Sequence, residues 1–420
     1  MRLLIQNGIL LTPNATTPTE TRNDIFIQDG IIQKIAKNIM LEADEIFDAT
    51  DCYISIGYLD VGAYVGDPGF EHQEDVDSLS AAAAVGGYTA VATLPNTFPS
   101  VHSKSEVLYL KNNTLHHLTD ILPIGAVSKN CAGEELAELY DMHEAGAVAF
   151  SDGTHSVRQA GVLLRALDYT KTFRGLVINH PHDSSLMPNG QMHEGLISTK
   201  LGLRGIPSIS EELMLARDLQ LLAYTQSKLH ILNVSTQKSV DLIRAAKQEG
   251  LQVTASVAAL NLTHTEDDLD GFEVQLKVQP PLRSTTDRAA LIAGLKDGTI
   301  DCITSNHRPL EPEAKKRAFL DADFGTIGLE TTMAALHTAN VLPMSQLVEK
   351  IAYQPRKVLN LAAPAIEEGQ SANFTIFHPD LEWTYEADAI RSKSRNSPFI
   401  GRKFKGKVVA VGNGMHFQKL

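Results

Sequence analysis

The chain is poor in cysteine and tryptophan and has no long apolar run. Its cysteines, Cys52, Cys131 and Cys302, are odd in number, widely spaced and without a CxxC pair, and 420 residues include 1 tryptophan. This cysteine usage excludes a disulfide framework and is typical of a reducing cytosol, with buried thiols. No segment approaches the roughly 18–20 apolar residues of a membrane span, and MRLLIQNGILLTP is too short and too interrupted for a signal peptide. We therefore expect a cytoplasmic protein.

Positive charge is also in short supply. The sequence has 37 Lys and Arg against 50 Asp and Glu, which gives a formal net charge of −13. Its basic run EAKKR (313–317) is short and lies among acids. Nucleic acids and anionic membranes are polyanions, so both are excluded as main partners. The remaining composition, 43% hydrophobic and 21% charged, is that of an ordinary globular protein with room for one large domain and a smaller one.

Both ends of the chain carry strand patterns. The stretches IQNGIL and IFIQDGIIQKI place Asn-Gly and Asp-Gly between apolar runs, as in tight hairpin turns. Near the other end, ANFTIFHP and GKVVAVGNGMHF alternate apolar and polar residues like strands. We predict that residues 1–55 and 365–420 form one composite β domain, a small β-sandwich built from both termini.

The middle of the chain, residues 56–364, alternates short apolar runs with amphipathic segments. One such segment is SVDLIRAAKQEG (239–250), in which Gly250 is a candidate helix cap. Eight β-then-α units predict an α/β fold with a (β/α)₈ barrel, whose chemistry lies at the C-terminal ends of the strands. The predicted strands are 57–62, 88–94, 121–127, 146–151, 175–180, 229–234, 251–257 and 300–306.

Six ordered motifs are spread over nearly the whole chain: EHQEDVDSLSAAAAVGGYTAVATLPNTFP (71–99), HEGLISTKLGLRGIPSISEELMLARDL (193–219), VSTQKSVDLIRAAKQEG (234–250), QPPLRSTTDRAALIAGLKDGTIDCITSNH (279–307), FGTIGLET (324–331) and SKSRNSPFIG (392–401). They resemble motifs of the dihydroorotases of the cyclic amidohydrolase superfamily. The resemblance implies a TIM-type barrel of the metal-dependent hydrolase type beside a small β domain from both termini, in agreement with the pattern above.

The resemblance also implies a chemistry. Opening a cyclic amide at neutral pH needs a strong nucleophile, which Zn²⁺ supplies by lowering the pKa of its bound water towards about 7. A carboxylate then takes the proton and passes it to the leaving nitrogen. The family carries its ligands in D-x-H-x-H-x-R after the first strand, an Asp after the fourth and single histidines after the fifth and sixth. The catalytic Asp begins D-H-A-P-H after the eighth.

In the first of these motifs the chain keeps Asp60 and loses the rest. The two histidine positions are Gly62 and Tyr64, and the arginine that holds the substrate carboxylate is Gly66. Glycine and neutral tyrosine are not usual Zn²⁺ ligands. The frame around these losses is kept, because DPG (67–69), LPNT (94–97) and GLE (328–330) still match the family.

The other ligand positions are altered in the same way. Asp152 stands after the fourth strand and His180 after the fifth, but the sixth strand is followed by Asn233. The catalytic Asp is replaced by Asn306 and the last histidine of its motif by Leu310. An amide cannot act as a carboxylate base. After the seventh strand, the family's P-H-H has become Ala259-Leu260-Asn261.

The surviving polar residues have alternative interpretations. His180 and His182 are candidates for residual metal binding, although alternate residues of a strand point to opposite faces. A relocated metal site could combine His155, His182, His230 and His307. Asp152 suits a turn cap as well as a ligand position. Asn96 matches a substrate-contacting residue of the family, but PNT also forms a good loop turn.

These observations favour a metal-less, inactive homologue, a pseudo-dihydroorotase for which no zinc is expected. The resemblance implies a structural or regulatory role in pyrimidine biosynthesis beside aspartate transcarbamoylase, and a homodimer. One alternative is an active amidohydrolase on dihydroorotate or a related cyclic amide, with a relocated or single zinc. Another is a small-molecule sensor that uses the pocket only for binding.

Overall fold

A computed structural model describes residues 1–11, 22–113 and 116–420. Eighteen strands are present among these residues: β1 (Arg2–Leu10), β2 (Arg22–Gln28), β3 (Ile31–Ala36), β4 (Glu45–Asp48), β5 (Tyr53–Ser55), β6 (Tyr58–Ala63), β7 (Tyr88–Thr93), β8 (Asp120–Gly125), β9 (Ala149–Phe150), β10 (Val177–Asn179), β11 (Met192–His193), β12 (Gly205–Ile206), β13 (Leu229–Ile231), β14 (Val253–Ala258), β15 (Cys302–Thr304), β16 (Asn373–Thr384), β17 (Lys403–Asn413) and β18 (His416–Lys419).

Thirteen α-helices accompany them within the described residues: α1 (Val76–Val85), α2 (Lys104–Asn112), α3 (Leu139–Ala145), α4 (Ala160–Lys171), α5 (Leu196–Leu201), α6 (Ile209–Thr225), α7 (Gln237–Gln248), α8 (Ala259–Thr263), α9 (Thr285–Lys296), α10 (Pro312–Lys315), α11 (Thr332–Thr338), α12 (Met344–Val348) and α13 (Gln354–Val358). No helix in these ranges is long and apolar enough to cross a membrane.

Eight of the strands form a nearly closed parallel barrel. Their order is β6, β7, β8, β9, β10, β13, β14 and β15, so each strand pairs with the next one along the barrel. The first and last strands meet where the Tyr64 amide donates to the carbonyl oxygen of His307 at 2.9 Å. All eight predicted barrel strands are confirmed, most of them with shorter ends. Their runs are buried on both faces, as parallel strands covered by helices require.

Local sequence signals set the helix ends. The Asp75 side chain accepts from the Ser78 amide at the start of α1, and Ser284 caps α9 by accepting from the Asp287 amide. The predicted helix at 239–250 is α7, and Gly250 follows it with φ +82°, a left-handed conformation that glycine adopts at little cost.

The strands outside the barrel and its loops form a single sheet that draws on both ends of the chain. Its order is β18, β17, β16, β5, β1, β2 and β3, with β4 paired to β1. The Asp29-Gly30 turn between β2 and β3 is confirmed, with φ of 50° and 77°. The predicted Asn7-Gly8 hairpin is wrong, since both residues lie inside β1 at a bulge. The domain boundaries at 55/56 and 364/365 stay a prediction.

This sheet covers the end of the barrel at which β6 and β7 begin. The Gly57 amide donates to Asn373 Oδ1 at 3.0 Å, and Thr375 Oγ1 donates to the Gly87 carbonyl at 2.6 Å. Gly87 has φ +88° and lies against Tyr58, so a side chain there would be strained and crowded. The opposite end, where the strands finish, is therefore the one left for a site.

Candidate functional site

A cavity at the C-terminal end of the barrel collects many of the positions predicted from the sequence. Its volume is ≈ 40 Å³. One water needs roughly 10–15 Å³ and small-molecule sites usually offer about 300 Å³ or more, so this space holds only a few waters. Its lining consists of Gly62, Tyr64, Leu94, Gly153, Thr154, His180, Leu232, Asn233, Gln279, Asn306, His307 and Arg308.

Apolar side chains fill the space beside Gly62. A Cβ on Gly62 would lie 3.2 Å from Leu232 Cδ1 and 3.5 Å from Leu94 Cδ2. Both leucines belong to the apolar core inside the barrel. Gly62 also has φ +94°, which other residues adopt with strain. A ligand histidine at this position would therefore have to displace these core leucines, because they occupy the space that its side chain would need.

The backbone itself occupies the position of the substrate-binding arginine. The Gly66 amide donates to the Glu74 carbonyl at 2.9 Å, and the Phe70 amide donates to the Gly66 carbonyl at 2.6 Å. A Cβ on Gly66 would lie 2.2 Å from the Phe70 oxygen and 2.5 Å from the Glu74 oxygen. No side chain fits there without moving the loop.

Each of the two remaining aspartates accepts hydrogen bonds from a serine with both of its carboxylate oxygens. Asp60 Oδ1 accepts from the Ser305 amide at 2.7 Å and Oδ2 from the Ser305 hydroxyl at 2.6 Å. Asp152 accepts from the Ser128 amide and hydroxyl at 2.8 and 2.6 Å. Burial raises the pKa of both carboxyls, and the serine hydrogen bonds oppose that shift. We call these contacts the serine clamps; each ties together the ends of two neighbouring barrel strands.

Asn96 is held by the loop after β9. Its Nδ2 donates to the Asp152 carbonyl at 3.0 Å, and its Oδ1 accepts from the Thr154 amide at 2.8 Å. Gly153 lies so close that a Cβ there would be 1.8 Å from Asn96 Oδ1. The loop-turn interpretation of Asn96 therefore describes its contacts, and a substrate would have to compete for them.

Two amides occupy the positions of a ligand histidine and the catalytic aspartate, and they bind each other. Asn233 Nδ2 donates to Asn306 Oδ1 at 3.3 Å, and Asn306 Nδ2 donates to the Gln279 carbonyl at 3.1 Å. Asn233 Oδ1 accepts from Thr304 Oγ1 at 2.6 Å. Both asparagines adopt left-handed backbone conformations, with φ of 59° and 50°. This network replaces a metal-and-base arrangement by neutral hydrogen bonds.

His180 keeps a ring nitrogen without a described partner at the cavity. Its Nδ1 donates to the Leu232 carbonyl at 3.2 Å, while the buried Nε2 has no hydrogen-bond partner among the described residues. Burial lowers the pKa of His180, so the ring is neutral. His182 lies beside it, with ring centroids 6.2 Å apart, and burial lowers its pKa to about 4.

Two of the four histidines proposed for a relocated site, His230 and His307, contact separate partners. His230 contacts Thr254 Oγ1 at 2.9 Å and Ser256 Oγ at 3.1 Å inside the barrel wall. His307 Nδ1 accepts from the Gly328 amide, and its Nε2 lies 3.4 Å from Glu74 Oε2 with both side chains fully buried. In the ranges that the structure describes, no three His, Cys, Asp or Glu residues are grouped so that they could hold a metal ion.

Arg308 is the functional candidate that the sequence argument missed. It lines the cavity, and none of the described carboxylates lies within salt-bridge distance of its guanidinium. Burial lowers its pKa, and its charge lowers that of His180. The sequence does contain a signal for Arg308, because the stretch NHRPL has arginine where the family's D-H-A-P-H has alanine. Leu310 of the same stretch is buried, as are Ala259, Leu260 and Asn261 in α8.

The residues present do not fit the zinc that the family implies. A zinc ion needs several N, S or O donors arranged around it. Of the ligand positions, Asp60 and Asp152 accept hydrogen bonds from serines, Gly62 faces leucine methyl groups, and Asn233 is bound by neighbouring amide and hydroxyl groups. Burial raises the pKa of Tyr64 to about 12, so its hydroxyl is neutral. His180 Nε2 remains as a ring nitrogen without a described partner. The positive charge of Arg308 on the same cavity further opposes a cation.

Comparisons with known proteins agree with this architecture. A family model described as Dihydro-orotase-like matches residues 53–239. The L-hydantoinase of Arthrobacter aurescens has the same fold, with a TM-score of 0.87 at 24% identity over 100% of this chain and 97% of that one. A dihydropyrimidinase of Brevibacillus agri gives 0.79 at 20% identity, over 99% and 95%.

Curated relatives are closer in sequence. A dihydroorotase of Pelobacter propionicus is 39% identical over 416 residues, which are 98% of each chain. A dihydroorotase of Pelotomaculum thermopropionicum is 42% identical over 410 residues, 97% of this chain and 96% of that one. Since the identity extends over both the barrel and the sheet, this chain belongs to the dihydroorotase family.

Proposed function

We propose that this protein is a non-catalytic member of the dihydroorotase family that serves pyrimidine biosynthesis without hydrolysing dihydroorotate. The observation that carries the proposal is the filled barrel mouth. Its ≈ 40 Å³ cavity leaves no room for a substrate, and Asn306 and Asn233 bind each other where a base and a ligand would act. Each required function, metal binding, proton transfer and anion binding, is lost by a different substitution.

We further propose a structural or regulatory role beside aspartate transcarbamoylase, as a cytoplasmic homodimer. The support comes from the family resemblance and from the kind of residues that are kept. Glycines and prolines that shape the loops remain, whereas the chemical groups are gone. This pattern, in which the residues that shape the fold are kept and the reactive side chains are not, is expected of a protein whose fold and surface are still needed.

One observation favours a second candidate, an amidohydrolase that uses a single zinc. His180 Nε2 is neutral, buried and without a partner in the described ranges, which is the state of a ligand imidazole. This candidate predicts zinc near one equivalent in protein purified without chelator, and loss of that zinc in His180→Ala. Our proposal predicts zinc far below one equivalent in both proteins.

The partner is tested by co-expression with the aspartate transcarbamoylase of the same organism. We expect the two chains to co-purify, and the transcarbamoylase to lose assembly or activity when this chain is left out. Independent behaviour of the two proteins in size-exclusion chromatography and unchanged transcarbamoylase activity would reject the regulatory role. The proposed lack of catalysis is tested separately, by turnover assays of this chain alone.

A further inference from the structure

A second and much larger cavity lies away from the barrel mouth, between the barrel helices and the sheet built from both ends of the chain. We call it the side pocket. Its volume is ≈ 330 Å³, within the range of small-molecule sites. It is bounded by the end of α1 at Val85 and Gly86, by Met333 in α11, and by Trp383 and Lys407 in the sheet.

A buried carboxylate and a buried hydroxyl lie next to each other on its wall. Glu330 is 7% exposed, and its Oε1 accepts from the Arg391 and Ser392 amides at 3.0 Å. The Tyr385 hydroxyl is its neighbour, because burial and then the Glu330 carboxylate raise the pKa of Tyr385. Burial raises the pKa of Glu330 as well. Since Glu330 lines the side pocket, a ligand that donates an N–H to its carboxylate would gain a charge-assisted hydrogen bond.

Two cations complete the side pocket. Lys407 Nζ lies 5.8 Å from the centre of the Trp383 ring, and no described carboxylate lies within salt-bridge distance of it or of the Arg391 guanidinium. One side of the wall is apolar and includes Met333, Ala334 and Val408. Polar residues complete the lining: Thr384, Gln418 and Lys419, whose ammonium pairs with Glu45 at 2.9 Å. The site thus offers an aromatic face, a hydrogen-bond acceptor and two positive charges around one cavity, a combination that matches a heterocycle with an anionic tail.

We propose that the side pocket binds a nucleoside monophosphate, with the base between Trp383 and the apolar wall, a base N–H donating to Glu330, and the phosphate at Lys407 and Arg391. Stacking on an aromatic side chain and charge-assisted phosphate contacts are general means of binding nucleotides. The proposal does not depend on the role suggested above, because binding here is separate from turnover and from any protein partner.

The protein carries its own reporter for this site, since Trp383 is the single tryptophan of the chain. Uridine 5′-monophosphate and adenosine 5′-monophosphate are titrated while tryptophan fluorescence is followed. We expect a saturable change with at least one of them. Uridine, ribose 5-phosphate and inorganic phosphate should each bind at least tenfold more weakly. Equal binding of ribose 5-phosphate, or no saturable change with either nucleotide at millimolar concentration, would overturn the proposal.

Variants locate the binding. Lys407→Met should weaken binding about tenfold or more through loss of a charge-assisted contact, and Glu330→Gln should weaken it through loss of the N–H acceptor. The matched control is Lys405→Met on the same strand, whose ammonium pairs with Asp380 at 2.9 Å outside the side pocket. Thermal melts check that each variant is folded. Unchanged affinity in Lys407→Met, or an equal loss in Lys405→Met, would refute the assignment.

Discussion

The barrel mouth and the side pocket differ in what their polar groups contact. In the mouth, acids and amides are bound by protein hydrogens, as in the Asp60–Ser305 clamp and the Asn233–Asn306 pair, and ≈ 40 Å³ remains. In the side pocket, the Glu330 carboxylate and the Lys407 and Arg391 cations border ≈ 330 Å³ of space, and no described carboxylate pairs with either cation. The polar groups of the barrel mouth therefore satisfy one another, which stabilises the strand ends and leaves little space between them.

The first and largest test restores the family's arginine to the closed mouth. Gly66→Arg would drive a Cβ into the Phe70 and Glu74 carbonyl oxygens, so we expect the free energy of unfolding to fall by at least about 4 kcal/mol in urea denaturation. The matched control is Gly271→Arg, where no atom lies within 4 Å of the added Cβ. A tolerated Gly66→Arg would mean that the mouth still has room for a substrate clamp.

The second test removes one serine clamp. Asp152→Ala leaves the buried Ser128 amide and hydroxyl without their acceptor, and we expect a loss of about 2–3 kcal/mol in the free energy of unfolding. Asp168→Ala on the exposed face of α4 is the control and should stay within about 0.5 kcal/mol of the parent. If the two variants were equally stable, the clamps would not be holding the strand ends.

The third test uses pH. Burial lowers the pKa of His230 from 6.5 to about 3, so below pH 6.5 the unfolded chain binds a proton that the folded chain excludes. Stability is therefore lost as pH falls, by about 2 kcal/mol from this residue near pH 5. His230→Gln should reduce the pH dependence of the unfolding free energy by that amount. An unchanged slope would show that His230 is not closed off from water.

The fourth and smallest test returns the catalytic carboxylate. Asn306→Asp loses the hydrogen bond to the Gln279 carbonyl, so we expect a destabilisation of about 1 kcal/mol, measured by thermal and urea melts. No dihydroorotate turnover should appear, because metal ligands and space are still missing. Turnover in this variant would mean that Asn306 alone silences an otherwise working site.

Much of the fold could be read from the sequence because parallel barrel strands are continuous apolar runs separated by amphipathic segments. The eight strands and the turn at Asp29-Gly30 follow from such local signals. The same dipeptide logic failed at Asn7-Gly8, where the Asn7 amide donates to Asp24 and Gly8 lies against Ile54. There a tertiary contact, and not the local turn preference, sets the backbone.

The candidate site was predictable only in part. Aligning motifs with the family located Gly62, His180 and Asn306 around one cavity, but it could not show what replaced the missing groups. The leucines beside Gly62 come from residues distant in sequence, and the place of an arginine at Gly66 is filled by a local turn through Phe70 and Glu74 that no motif announces. The motif comparison looked for family side chains that are missing from this chain. Arg308 was overlooked because it is a charged side chain that the family motif does not have.

The most direct test of the central claim is dihydroorotate turnover by the full chain in the presence of added zinc, in both hydrolysis and cyclisation, beside an intact dihydroorotase. Our account predicts no rate above the protein-free reaction in either direction. A zinc-dependent rate that disappears in His180→Ala would contradict it, and would show that the barrel mouth opens to admit both metal and substrate.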